Sequence, residues 1–400
     1  MENKTEKIIS LAKRRGFVYP GSEIYGGLAG TWDYGPLGAE MLHNIKEAWW
    51  KKFVSDREDM YGIASSIIAP EQVWAASGHL KNFTDPLEGE KFNTMFKSSV
   101  GALKGETADV YLRPELAQGM FVNFKNIVDS FHPKLPFGIA QIGRCFRNEI
   151  SPRDFLFRVR EFDLMEFEYF VRESEWENHF EYWKKEMWNW MEEAGIDKNK
   201  VHELEVAPED RAHYSKRTID FEYDFDFGKK ELYGLAYRTD HDLKNHKLDY
   251  YDEETKEKFV PHVVEPTFGA GRTLLAILDS AYSEDELGGE GRVFLKLKPH
   301  IAPVKTAVFP LLKNKPELVK KAREVYEEIK KEIQPVIFDD NGNIGKRYRR
   351  QDEIGTPFCV TIDFETLDNN SVTLRNRDTG KQERIKISEL TAVLKSAILR

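Results

Sequence analysis

Four hundred residues with 40% hydrophobic and 32% charged side chains describe an ordinary globular chain, too long for one small core. A net charge of −9 argues against a general nucleic-acid coat, and two distant cysteines, Cys145 and Cys359, exclude a disulfide framework or a Cys-rich zinc site. The start lacks a signal pattern and no apolar run approaches membrane-spanning length, so a cytoplasmic protein without membrane contact is expected.

In chain order, "GAEMLHNIKEAWWKKFV" predicts a helix and "FGIAQIGRCFRNE" a strand. "REFDLMEFEYFV", "TIDFEYDFDF" and "KELYGLAYR" predict further strands, with the Trp-rich helix "EWENHFEYWKKEMWNWMEEAG" between the first two. Trp183, Trp188 and Trp190 are expected in the core or at a docking surface. Helices are interposed among these strands without regular alternation, which predicts α+β: an antiparallel sheet with helices packed on it. The expected domain is 1–302, with a helix-and-strand insertion about 172–260. "KPHIAPVK" is the natural cut, and 303–400 is expected to form a small α/β domain with a mostly parallel sheet. There the helix "PELVKKAREVYEEIKKEI" is expected to bury Val319, Ala322, Val325, Ile329 and Ile333, and "IGKRYRRQDEIG" reads as a short helix. Residues 303–400 carry 19 basic against 15 acidic side chains, while the first 302 have a net charge of −13. A basic module on an acidic body is compatible with a polyanion at one end, or with uneven solvated faces.

Several chemistries are absent. There is no P-loop, no G-x-G-x-x-G after a strand, no H-E-x-x-H and no G-x-S-x-G. His241 and His246 in "HDLKNH" are five apart, off one helical face, and make a poor zinc pair; no zinc is expected. A nucleotide here would have to be held by side chains. "RCFRNEISPRDFLFRVREFDLMEFEYF" offers them: Arg144, Arg147, Arg158 and Arg160 on what reads as two paired strands, without one lysine. Phe157 or Phe162 offers a ring to a purine, and Glu149, Glu161, Glu166 and Glu168 offer balancing charge, Mg²⁺ ligation or acceptors for an amine. The competing reading is a surface sheet laced with cross-strand salt bridges, each contributing about 0.2–1 kcal/mol.

The same residues carry a family resemblance. "FRNE" at 146–149 with "FRVREF" at 157–162 resembles the second signature of class II aminoacyl-tRNA synthetases, and "EPTFGAGRTLLAIL" at 265–278 resembles the third. Pro70 stands where the first, dimer-forming signature has its proline. "SLAKRRGFVYPGSEIYGGLAGTWDYGPLG", "YLRPELAQGMFVNF", "RTDHDLKNH" and "DDNGNIGKRYRRQDEIGTPFCVT" resemble the homodimeric type of glycyl-tRNA synthetases, so that the likeness spans about Ser10 to Leu390.

The resemblance implies an antiparallel catalytic sheet followed by an anticodon-binding domain, with ATP, Mg²⁺, glycine and tRNA(Gly) as ligands and a homodimeric assembly. Arg147, Glu149 and Arg272 would be catalytic. ATP would be held by Arg147, Asn148, Glu149, Phe157, Arg158, Val159, Arg160, Glu161 and Phe162, and by Glu231, Leu232, Gly269, Ala270, Gly271 and Arg272. Glycine would be held by Glu115, Phe162, Asp163, Leu164, Met165, Glu166, Glu265, Pro266, Thr267, Phe268 and Gly269, with Glu115, Glu166 and Glu265 around its ammonium. Glu231 and Glu265 would ligate Mg²⁺, and Lys346, Arg347, Arg349 and Arg350 would meet the anticodon loop.

Three features depart from the family pattern: Thr267 replaces its usual Ser, Gly271 replaces an acidic or polar residue, and Leu87 joins Phe92 through "EGEK" where relatives carry an insertion. Another class II synthetase (threonyl, prolyl or histidyl) and a catalytically inactive accessory subunit are the alternatives, although such subunits lose the phosphate-binding arginines retained here.

Overall fold

A computed structural model describes residues 3–87, 90–103 and 107–398. Helix α1 (Lys4–Arg15) starts at a capping box between Asn3 and Glu6 and stops at Gly16, whose φ of 78° suits glycine. Helix α2 (Pro36–Trp50) has proline in its first turn and buries Met41, Leu42, Ile45 and Trp49. Strand β1 (Met60–Gly62), helix α3 (Ala117–Phe131) and strands β2 (Phe137–Phe146) and β3 (Glu161–Val171) follow. Then come α4 (Trp176–Ala194), β4 (Val201–Glu205), β5 (Arg217–Phe225), β6 (Gly228–Thr239), β7 (His262–Gly269) and α5 (Ala270–Ala281).

Seven strands make one sheet in the order β4-β5-β6-β7-β3-β2-β1, antiparallel except for β1 beside β2. Residues 201–239 supply three of its strands, so the stretch read as an insertion about 172–260 is integral to the sheet. Alternation along β3 explains the two faces. Met165, Phe167 and Tyr169 enter the core with α2, α4 and α5, whereas Leu164 and Phe170 pack on the α3 side. Trp183 and Trp190 are core residues, and half-buried Trp188 donates its indole N–H to Glu203 at 2.6 Å.

Strands β8 (Thr306–Pro310), β9 (Val336–Phe338), β10 (Phe358–Ile362), β11 (Ser371–Asn376) and β12 (Gln382–Lys386) form a second sheet in the order β9-β8-β10-β11-β12. Helices α6 (Pro316–Lys330), α7 (Ile344–Ile354) and α8 (Ile387–Ile398) accompany it. The sheet is mixed rather than mostly parallel, because the closing hairpin makes the β10–β11 and β11–β12 pairings antiparallel. On α6 the core stripe begins at Leu318; Val319 sits at its edge, half-buried, and Ile333 is buried beyond the helix end.

Candidate active site

A cavity of about 330 Å³ opens on the face of the large sheet, over β3, β6 and β7, and is closed by the 147–160 connection and the loop after β4. It has a basic end and an acidic end. Side-chain alternation puts Phe162, Leu164 and Glu166 of β3 and Glu265, Thr267 and Gly269 of β7 on its wall.

At the basic end stand Arg147, Arg158 and Arg272, which also line an adjoining cavity of about 520 Å³ with Phe83, Asp85 and Lys230. Arg147 Nε donates to the Pro114 carbonyl at 3.1 Å, and its guanidinium lies 5.2 Å from the ring centres of both Phe83 and Phe162. Arg158 donates to Glu149 and, at 2.9 Å, to Asp85. Arg272 lies 4.3 Å over the Phe157 ring and reaches Glu231 Oε2 at 3.2 Å. The aromatic residues expected to meet a base therefore each carry an arginine on one face. Arg147 and Arg158 sit in the connection between β2 and β3, where an isolated bridge joins Arg153 and Arg158 and the Arg147 N–H donates to the Arg160 carbonyl at 2.9 Å, and not within named strands. Val159 and Leu232 line the cavity with them.

At the acidic end Glu115, Glu166 and Glu265 are all buried. Glu166 accepts from the Leu116 N–H at 3.0 Å and from the Thr267 hydroxyl at 2.8 Å. Burial, then the Glu265 and Glu115 charges, push its carboxyl up to about 8. For Glu115, burial works in the same upward direction, but His79, with Arg238 and Gln118, outweighs it and holds the carboxyl at about 2. Arg238, fully buried under the Tyr214 ring at 3.6 Å, donates to Glu265 at 2.5 Å and to both oxygens of Asp242 at 2.8 and 2.9 Å.

Several expected site residues lie elsewhere. Arg144 bonds Asp163 and Glu161 across β2 and β3, which is the salt-bridge ladder of the competing reading. Arg160 donates to the Ala29 and Glu149 carbonyls, and exposed Glu161 is spent on Arg144. Met165, Pro266 and Phe268 alternate onto the opposite face and are buried there, and Ala270, the first residue of α5, is buried in the core. Asn148 donates its backbone N–H to Thr94 at 2.7 Å and lines neither cavity. Asp163 reaches the cavity edge while bound to Lys46 at 2.6 Å. Gly271 lines the wall, where an added Cβ would meet the Tyr34 hydroxyl at 3.0 Å.

The joint Mg²⁺ role of Glu231 and Glu265 is also corrected. Glu265 pairs with Ala236, five residues along β6 from Glu231, a separation of roughly 16 Å at the usual rise per residue. Glu265 is instead paired with Arg238, so it and Glu231 do not share one ion. His241 turns to Asn245 and His246 to Gln118, so the two histidines do not converge.

On α7 the four basic residues separate. Lys346 is exposed, but Arg347 is buried and donates to the Pro310, Asp340 and Gly342 carbonyls, which removes it from any loop contact. Arg350 is held by Asp339 and Arg349 reaches Glu290.

Residues that sequence reasoning missed include His79, Tyr214, Asp220, Arg238 and Asp242. "SGHL" and "RTDHDL" contained three of them, but nothing local marks a residue that acts by touching a distant strand. Burial, then Glu231 and Glu222, push the Asp220 carboxyl up to about 7 on the cavity wall.

Residues 97–281 match the family described as tRNA synthetase class II core domain (G, H, P, S and T), and residues 305–397 match the anticodon binding domain. The chain is 44% identical to a glycine–tRNA ligase of Clostridium acetobutylicum over 465 residues, covering 99% of each chain. It is 44% identical to one of Caldanaerobacter subterraneus subsp. tengcongensis, covering 98% of each, and 43% to one of Streptomyces coelicolor, covering 99% of each. An aligned length of 465 residues against a chain of 400 means that the first relative has at least 65 residues without a counterpart here. Near the expected gap, Thr84–Leu87 pairs directly with Glu90–Asn93; Glu88 and Gly89 lie outside the described residues. Threonyl, prolyl, histidyl and accessory readings find no support in this full-length likeness. The chain belongs to the glycine–tRNA ligase family of class II tRNA synthetases.

Proposed function

We propose that this protein attaches glycine to tRNA(Gly) in two steps: the glycine carboxylate attacks the α-phosphorus of ATP, releasing pyrophosphate, and the terminal ribose hydroxyl of the tRNA then attacks the glycyl carbonyl, releasing AMP. The observation that carries this reading is one cavity with three arginines at one end and three buried carboxylates at the other. Guanidinium groups suit phosphates, and carboxylates suit an ammonium.

Arg147 meets the α-phosphate and the attacking carboxylate, while Arg158 and Arg272 gather the outer phosphates. Glu149 holds Arg158 in place, and Phe157 or Phe162, both on the cavity wall, offers a ring to the adenine. Glu115, Glu166 and Glu265 surround the ammonium, and Thr267 fixes Glu166. Catalysis is then positioning plus stabilisation of charge, with no covalent enzyme intermediate.

Mg²⁺ fits Glu231 with Asp220: clustered carboxylates at the phosphate end, with Asp220 held up near 7 by its neighbours, favour an added cation. When bound, the ion neutralises phosphate charge.

Residues 303–400 act as the anticodon-binding domain, with exposed Lys346 as its leading contact. The working form is a homodimer, in keeping with exposed Ile24, Tyr25 and Leu28 on one loop. A cytoplasmic location is consistent with the absence, among described residues, of a helix long and apolar enough to cross a membrane. The test is ATP–pyrophosphate exchange with each of the twenty amino acids: glycine alone should support it, and exchange with another amino acid, or with none, rejects the proposal.

A further inference from the structure

Among the described residues, Glu168 is the acid at the acidic end to which no protein group donates. On β3 it follows Glu166 by two residues, so both project onto the same face. The β3–β7 register runs Glu166 opposite Thr267 and Tyr169 opposite Val264, which puts Glu168 directly across from Glu265. Oxygens of Glu166, Glu168 and Glu265 all lie within 4.8 Å of one another. Glu168 is fully buried, and among the described residues neither of its oxygens has a hydrogen-bond partner.

Charge balance decides what that means. The acids converging here are Glu115, Glu166, Glu168, Glu265 and Asp242. Facing them are the Arg238 guanidinium, His79, the Tyr214 phenol, the Gln118 amide and the Thr267 hydroxyl. Five carboxylates outnumber the cations that face them, the Arg238 guanidinium, Arg113 near Glu166 and one incoming ammonium, and a buried site does not sustain the excess charge. Glu115, Glu166, Glu265 and Asp242 each accept hydrogen bonds from protein donors. Glu168 accepts none, so a proton placed on it removes the least favourable charge and creates a donor facing Glu265. Burial, then the neighbouring Glu265 charge, push its carboxyl well above the usual range, in agreement.

We infer that Glu168 is a positioning residue: it works as a neutral carboxylic acid whose O–H donates to Glu265, holding that carboxylate between Arg238 and the substrate ammonium. This inference rests on the reading of Glu265 as one partner of the glycine ammonium.

Two full-length variants test it. Glu168→Gln keeps the shape and a donor, and Glu168→Met keeps similar bulk without one. With Gln the glycine KM should stay within about threefold of the parent, and with Met it should rise about tenfold or more while the ATP KM holds. Infrared difference spectra of the parent against Glu168→Gln should show a protonated carboxyl carbonyl band at neutral pH that the variant lacks. Equal impairment by Gln and Met would mean that the charge is required, and equal retention would mean packing alone; either overturns the inference. A metal ion that co-purifies with the parent and is lost from Glu168→Gln also overturns it, since the carboxylates would then be ligands. If the parent shows no glycine-dependent exchange, the ammonium reading fails, and the infrared band still decides the state of Glu168; it also decides if the Met variant does not fold.

Discussion

The imidazole Nε2 of His79 stands 3.1 Å from the Glu115 carboxylate, with both side chains buried. On its other side Nδ1 lies 2.8 Å from the Ser77 hydroxyl, so the ring is fixed at both nitrogens. Removing the ring in His79→Ala leaves Glu115 buried without its nearest donor, at a cost of about 3 kcal/mol of folding stability. The sign with pH follows from the depressed carboxyl. Glu115 titrates near 2 when folded and near 4.3 when unfolded, so the stabilisation is full above about pH 5 and lost as pH falls towards 2. Denaturant melts should therefore separate parent and variant at pH 7, narrow the gap below about pH 4 and bring them together only near pH 2. The glycine KM of the variant should rise with little change in the ATP KM.

Arg147 is the arginine with the least competition for its outer nitrogens. Its Nε is used on Pro114, whereas Arg158 already meets two carboxylates. Arg147→Ala should cost roughly 3–4 kcal/mol of activation, the scale of losing a preorganised donor at developing charge. Single-turnover adenylate formation should fall by two to three orders of magnitude. A variant of normal exchange rate would remove Arg147 from the phosphate site.

What was legible in the sequence, and what was not, divides by the range of the interaction. Period-two alternation announced β2, β3, β5 and β6, and the aromatic stripe of α4 announced a core helix. The arginine-rich stretch contains two residues that line the cavity, Arg147 and Arg158, but its pattern did not separate them from Arg144 and Arg160, which do not. That separation depends on the irregular path of 147–160 and on where Asp163 and Ala29 happen to lie. Signature matching also selected whole runs, such as 162–166, where a strand can offer only alternate residues; Met165 was bound to face the core. His79, Arg238 and Glu168 act through contacts across strands and loops, which no local pattern encodes.

The carboxyl of Glu166 carries a pH prediction. Raised to about 8, it is largely neutral below that pH and receives the ammonium less well. The glycine KM should fall as pH rises from about 6.5 to 8.5, before deprotonation of glycine itself reverses the trend. The Thr267 hydroxyl donates to Glu166 and favours its ionised form. Thr267→Val should move the midpoint upward and raise the glycine KM several-fold at pH 7.5, whereas Thr267→Ser, which keeps the hydroxyl, should track the parent. Steady-state exchange across the pH range separates the two variants.

Arg347 and Lys346 are adjacent on α7 and should respond oppositely. Arg347 is 1% exposed, and its guanidinium donates to three backbone carbonyls around the 340–342 turn and the end of β8. Arg347→Ala strands those acceptors and opens a void, costing about 2–4 kcal/mol of stability, so melting should drop by several degrees. Its KM for tRNA, measured well below the melting point, should hold. Lys346 points to solvent from a helix whose first turn is capped by Asn343. Lys346→Ala should leave the melting temperature in place and raise the tRNA KM, with a dependence on salt weaker than that of the parent because one phosphate contact is gone. If the exposed lysine proves silent and the buried arginine alone changes tRNA affinity, the polyanion surface lies on another face of the small domain.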